Sequence, residues 1–168
     1  MDYHATVPWE AKEEILNAYQ ELTQSYQSIC LIANSIGAFF AMHALSKQPI
    51  EQAFFISPVV NMEQLILDMM GWASVTESQL QAQQEIETSF GERLSWEYLC
   101  YVRKHLITWE IPTHILYASK DNLTSYETIS KFSDKENISL TVMENGEHWF
   151  HTEEQIEFLD RWLQSCIS

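Results

Sequence analysis

The chain has 168 residues, 46% of them hydrophobic and 12% aromatic, with only four glycines and four prolines. That length suits a single domain, one of about this size burying roughly 70% of its unfolded surface, and the composition excludes a disordered or linker-rich chain. Nine basic against 24 acidic residues leave a net charge of −15, a field that repels phosphate backbones and anionic lipid and excludes nucleic acid as a partner.

The N-terminal "MDYHATVPWEAKEE" lacks the basic start and apolar core of a signal peptide, and no apolar run reaches the roughly 18–20 residues of a membrane span. A cytoplasmic protein is expected. From Trp9 to about Gln24, Ala11, Ile15, Leu16, Ala18, Tyr19 and Leu22 follow helical spacing, with Pro8 suited to the first turn. "SICLIAN" then reads as a short buried strand, 28–33, and "GAFFAMHALSK" as a helix that closes before Pro49. "EQAFFIS" is a second strand, "PTHILYAS" a third and "ISLTVME" a fourth. "SYETISKF" and "TEEQIEFLDRWLQ" are the helices that follow the third and fourth. Strands alternating with helices predict a three-layer α/β/α fold on a short, mostly parallel sheet of about four strands.

Between the second and third strands, about 61–111, lies an insertion longer than a normal crossover. Its pieces "MEQLILDMMGW", "TESQLQAQQEIETSF" and "RLSWEYLCYVRKHLI" all read as helices. The domain therefore has a core of about 1–60 and 112–168 and a cap-like helical insertion. Such a segment either covers a site or packs on the scaffold, and its Met62, Met69 and Met70 suit an adaptable surface or plain core equally. Cys30, Cys100 and Cys166 have no CxxC spacing and read as reduced, packed thiols.

The break at Ala33-Asn34-Ser35-Ile36-Gly37 falls where the first strand meets the next helix. A buried helix contains a serine by chance, but a strand-to-helix turn with small residues two before and two after would lift a serine hydroxyl above the sheet edge. Both are glycine in the usual form of that motif, so Ala33 is a mild departure. A serine hydroxyl needs a base to take its proton and a carboxylate to orient the base. "YASKDNLTS" puts Asp121 in the loop after the third strand, and "ENGEHWFH" puts His148 in the loop after the fourth. Asp121 also suits a capping role near Thr124, and Asp134 and Glu144 compete as the acid. His148 and His151 have i, i+3 spacing, but no further ligand pattern supports a metal. His43 and His105 read as packing or surface residues, and His114 as a strand-edge residue.

On "ANSIG", "ASKDNLT" and "NGEHWF", each after a predicted strand and in the order Ser, Asp, His, the sequence resembles the α/β-hydrolase fold superfamily over roughly 28–163. The resemblance implies Ser35 as nucleophile, Asp121 as orienting acid, His148 as general base and the Ile36 N–H as one oxyanion donor. It implies a serine hydrolase that cleaves a carboxylic ester or related small-molecule acyl substrate through an acyl-enzyme, with no cofactor and no metal. Ester, thioester, lipid and peptide acyl groups all remain open.

The usual fold has several strands before the nucleophile strand. Here "MDYHAT" resembles a loop after such a strand, which suggests a truncated form of a longer hydrolase. The first strand, 28–33, then becomes an exposed hydrophobic edge to be covered by a second copy in a homo-oligomer, by the N-terminal helix or by upstream residues. The source of the second oxyanion N–H stays open, and its loss with nothing in its place would cost about 2.7–4 kcal/mol. A weak or inactive binding or assembly module of the same fold is the alternative, which predicts a buried or misaligned Ser35.

Overall fold

The structure is a computed structural model and describes residues 6–167. Helices and strands alternate from the start in α1 (Pro8–Thr23), β1 (Leu31–Asn34), α2 (Ile36–Leu45) and β2 (Ala53–Ile56). The next segment holds α3 (Met62–Trp72), α4 (Glu77–Gln83), the short strands β3 (Glu85–Glu87) and β4 (Arg93–Ser95), and α5 (Trp96–Lys104). Alternation resumes with β5 (Thr113–Ala118), α6 (Tyr126–Ser133), β6 (Ile138–Met143) and α7 (Glu153–Ile167).

β1, β2, β5 and β6 form one sheet in that order, and every neighbouring pair is parallel. A parallel sheet needs both faces covered, and successive residues of β2 show how this is met. Phe55 packs with Tyr19 of α1, Met42 of α2 and Ile129 of α6, whereas Phe54 and Ile56 join Leu116, Phe150 and Trp162 of α7 on the other side. The result is the three-layer α/β/α arrangement expected. α2 has no polar stripe, and every residue from Ala38 to Leu45 is buried. It therefore packs on the sheet through Met42 and on the inserted segment through Phe39 and Phe40.

Among the described residues, β1 is paired on one side only. Leu31 N–H donates to Gln52 O and Ser35 N–H to Ile56 O, so the alternate residues Ile32 and Asn34 turn their backbone groups to the open side. Ile32 is 57% exposed. The unpaired edge is as expected but narrower, at 31–34 instead of 28–33, and Cys30, expected to be packed, is exposed just before it. His114, expected at an edge, lies on the interior strand β5, where its Nδ1 shares a hydrogen bond with the Ser139 hydroxyl at 2.7 Å and its ring stacks on Phe54. Most of the N-terminal segment read as a loop, residues 1–5, lies outside the described residues. No helix among the described residues is long and apolar enough to cross a membrane.

The segment between β2 and β5 departs most from expectation. "TESQLQAQQEIETSF" is not one helix: α4 stops where Gln84 takes φ 68°, and Glu85–Glu87 runs antiparallel to Arg93–Ser95. Ile86 and Leu94 are directly paired and both turn inward, Leu94 to full burial, and Gly91 supplies the left-handed residue of the turn at φ 90°. Burial of that pair outweighs the helix preference of the Gln- and Glu-rich run. The Met-rich stripe is core, with Met62, Leu65, Ile66 and Met70 packed against Leu80, Leu94, Leu99 and Val102. Arg103 ties the helices together, donating from Nε to Glu63 at 2.7 Å and from both terminal nitrogens to Glu77 at 2.8 Å.

Candidate active site

β1 ends at Asn34 and α2 begins at Ile36, so Ser35 alone reverses the chain direction. It does so at φ 50° and ψ −127°, a conformation that costs an L-residue on the order of 1–3 kcal/mol. Three backbone bonds hold it there. Ser35 N–H donates to Ile56 O at 3.0 Å, and Ser35 O accepts from Ala38 N–H at 3.1 Å and Val59 N–H at 3.0 Å. The steric demand expected at Gly37 is absent, since a Cβ at that position would meet no heavy atom within 4 Å. The turn is held by its hydrogen bonds to β2 and to the segment after it, not by backbone crowding at Gly37.

The loops after β5 and β6 are joined to each other. Ser119 N–H donates to Met143 O at 3.0 Å, Lys120 N–H to Gly146 O at 2.9 Å, and Asn145 N–H to Ser119 Oγ at 2.8 Å. Gly146 comes so close to Met143 that a Cβ would sit 3.2 Å from its side chain, which leaves little room for any larger residue. Phe150, buried with φ 46°, anchors the far end of the second loop.

This scaffold brings Ser35, Asp121 and His148 together. His148 Nε2 lies 2.8 Å from Ser35 Oγ, and its Nδ1 lies 2.7 Å from Asp121 Oδ2. The His148 and Asp121 side chains are 1% and 0% exposed, and Ser35 as a residue is 8% exposed. An ionised carboxylate only accepts, so Nδ1 carries the proton donated to Asp121 and Nε2 is left to accept from the Ser35 hydroxyl. Asp121 also performs the capping role weighed against it. Its Oδ1 accepts from Leu123 N–H at 2.8 Å and Thr124 N–H at 3.0 Å, leaving Oδ2 for the imidazole. Asp134 and Glu144 are both exposed. Ile36 is the first residue of α2, and its N–H has no acceptor in the helix's own ladder.

Sequence reasoning missed a supporting circuit. Val59 N–H reaches Ser35 O, Thr124 Oγ1 reaches Pro58 O at 3.5 Å, and Thr124 N–H reaches Asp121, so the Pro58-Val59 turn links the serine to the carboxylate from beneath. The Tyr117 hydroxyl donates to Thr124 O at 2.9 Å. Burial first, then the Asp121 charge and Tyr126, push its phenol up to about 12, so it remains a donor at neutral pH. The only sequence signal here was Ser57-Pro58 directly after a strand, which reads as an ordinary turn.

His151 Nδ1 lies 3.5 Å from Glu147, away from the His148 bonds, and no group of three or more His, Cys, Asp or Glu among the described residues could hold a metal ion. His43, buried on α2, shares a 2.8 Å hydrogen bond with the Tyr101 hydroxyl of α5 and packs, as expected, outside the site.

By sequence, the chain matches no family model and no curated protein. By structure it is similar to α/β hydrolase domain-containing protein 10 from mouse, with a TM-score of 0.76 and 14% identity over 99% of this chain and 71% of that one. Est1E from Butyrivibrio proteoclasticus gives 0.73 and 16% identity over 96% of this chain and 72% of that one. The esterase domain of a Rhodothermus marinus protein gives 0.67 and 13% identity over 98% and 69%. With the parallel sheet, the serine turn and the order of the three side chains, these likenesses show that the chain has the α/β-hydrolase fold.

Proposed function

We propose that the protein is a serine hydrolase that cleaves a carboxylic ester through an acyl-enzyme. One observation carries this reading: the continuous hydrogen-bonded line from Ser35 Oγ through both nitrogens of His148 to Asp121, at 2.8 and 2.7 Å. Ser35 Oγ attacks the ester carbonyl carbon while its proton passes to His148 Nε2. Asp121 holds the imidazole in the correct tautomer and stabilises the imidazolium. The Ile36 N–H, unpaired within α2, donates to the oxygen that becomes negative. As the tetrahedral intermediate collapses, the C–O bond to the alcohol breaks and His148 returns the proton to the leaving oxygen. Water then gives its proton to Nε2 and attacks the acyl carbon, which releases the carboxylic acid and restores Ser35.

The noncatalytic alternative called for a buried or misaligned serine. Ser35 is largely buried, but it is aligned with the imidazole and held in a strained turn, and a strained backbone persists only where the surroundings over-determine it. The similar structures support an ester as the substrate class, since one is an esterase domain and Est1E has been solved with ferulic acid bound. The test is labelling with a fluorophosphonate alongside hydrolysis of short-chain nitrophenyl esters. Wild-type protein should be labelled and turn over, and Ser35→Ala should do neither. A wild-type protein that is not labelled would sink the proposal.

A further inference from the structure

The residues that immediately follow Ser35 and His148 are both large, apolar and exposed. Ile36 is 40% exposed and Trp149 67%, whereas the residue after Asp121 is the polar Asn122. Trp149 is not needed to anchor its loop, because the adjacent Phe150 does that at 4% exposure. Instead the indole meets the His148 ring nearly perpendicularly, at 86° and 4.9 Å between centroids, and leaves most of its surface open to solvent. Exposing so much aromatic surface forfeits burial that the fold could use. The indole thus packs on an imidazole that itself bonds Ser35 and Asp121.

We propose that Trp149 is a specificity residue on which a planar, aromatic leaving group stacks, so that the preferred substrates are neutral esters of aromatic alcohols. This rests on the reading of Ser35 as nucleophile and His148 as base. His148 Nε2 hands its proton to the departing alcohol oxygen, so that oxygen approaches the imidazole, and the group attached to it extends over the neighbouring indole. A flat indole face discriminates between a planar and a puckered ring of equal size, because only the planar ring makes contact over its whole face. The acidic surface, with exposed Glu144 and Glu147 flanking this loop and a net charge of −15, selects against an anionic leaving group.

The test compares benzyl acetate with cyclohexylmethyl acetate, which share the acyl group and carbon skeleton and differ in the planarity of the alcohol's ring. Wild-type protein should favour the benzyl ester in kcat/KM by about fivefold, the scale of one aromatic stacking contact. In Trp149→Ala the ratio should fall close to one, and Trp149→Phe should keep part of the preference. Equal ratios in wild type and Trp149→Ala, with Ser35-dependent fluorophosphonate labelling of the wild type present, would overturn the stacking alone. Absence of that labelling would overturn the catalytic reading and the stacking together. Thermal melting of both variants checks that each is folded.

Discussion

Ser35 and His148 are 113 residues apart in the chain and 2.8 Å apart in space, whereas the Arg103 bonds that unite α3, α4 and α5 join residues only 26 and 40 apart. The two regions are held together by different means. At the sheet edge, each side chain sits just beyond the end of a parallel strand, so the β1–β2–β5–β6 register sets where the three loops meet. The segment between β2 and β5 packs around a cluster of its own residues and meets the rest through Phe39 and Phe40 of α2, Ala11 of α1 and Val59, with Trp9 of α1 against Tyr98 and Tyr101. The contrast implies that damage can be separated: changes at the edge should alter chemistry with the fold intact, and changes in the insertion should alter stability first.

The sharpest break of that separation comes from Asp121→Asn. The new side chain keeps an acceptor for the Leu123 and Thr124 N–H groups but offers an amide to His148 Nδ1, which forces the wrong tautomer. Ester kcat/KM should fall about 10⁴-fold, with little change in melting temperature. Activity within tenfold of wild type would remove Asp121 from its assigned role.

Leu99→Ala probes the other region. Leu99 is fully buried among α3, α4 and β4 residues, and truncating it should cost about 2–5 kcal/mol in denaturant unfolding. Ser35-dependent labelling per folded molecule should be retained. Loss of labelling in protein that is still folded would show that the insertion shapes the site directly.

The third and smallest effect joins the regions. His43 on α2 bonds Tyr101 of α5 and faces Lys12 of α1 and His105. Burial first, then those two neighbouring charges, lower it from 6.5 to about 4. The unfolded chain therefore takes up a proton that the folded protein refuses. Stability is whole above about pH 6.5 and declines as pH falls toward 4, by at most about 3 kcal/mol. His43→Gln should flatten the dependence of melting temperature between pH 7.5 and 5. An unchanged slope would assign the acid sensitivity to other groups.

Much of the sheet, and the three polar side chains that meet at the candidate site, were legible because they follow short-range rules. A run such as "AFFI" has few alternatives to a buried strand, and Ser35, Asp121 and His148 each stand within a few residues of a strand end. The β3–β4 hairpin was illegible for the opposite reason. "QAQQEIE" prefers a helix locally, and only the pairing of Ile86 with Leu94, and the burial of Leu94 against α3 and α5, reverses that preference. Cys30 and His114 were misplaced because an apolar run does not reveal that the strand starts only at Leu31, nor that β5 lies between β2 and β6. Tyr117, Thr124 and the Pro58-Val59 turn carry no catalytic chemistry of their own, and in the sequence they show nothing beyond an ordinary turn at Ser57-Pro58.

The sequence alone determined the alternation of strand and helix, the acidic surface, and the order in which a hydroxyl, a carboxylate and an imidazole leave the sheet, since each depends on residue type and local spacing. Tertiary structure decided the rest. It divided the two oxygens of Asp121 between the loop and the imidazole, set Ser35 in its strained turn through Ile56 and Val59, and left Trp149 open beside His148. Those outcomes depend on distances between segments far apart in the chain, and such distances exist only once the sheet has formed.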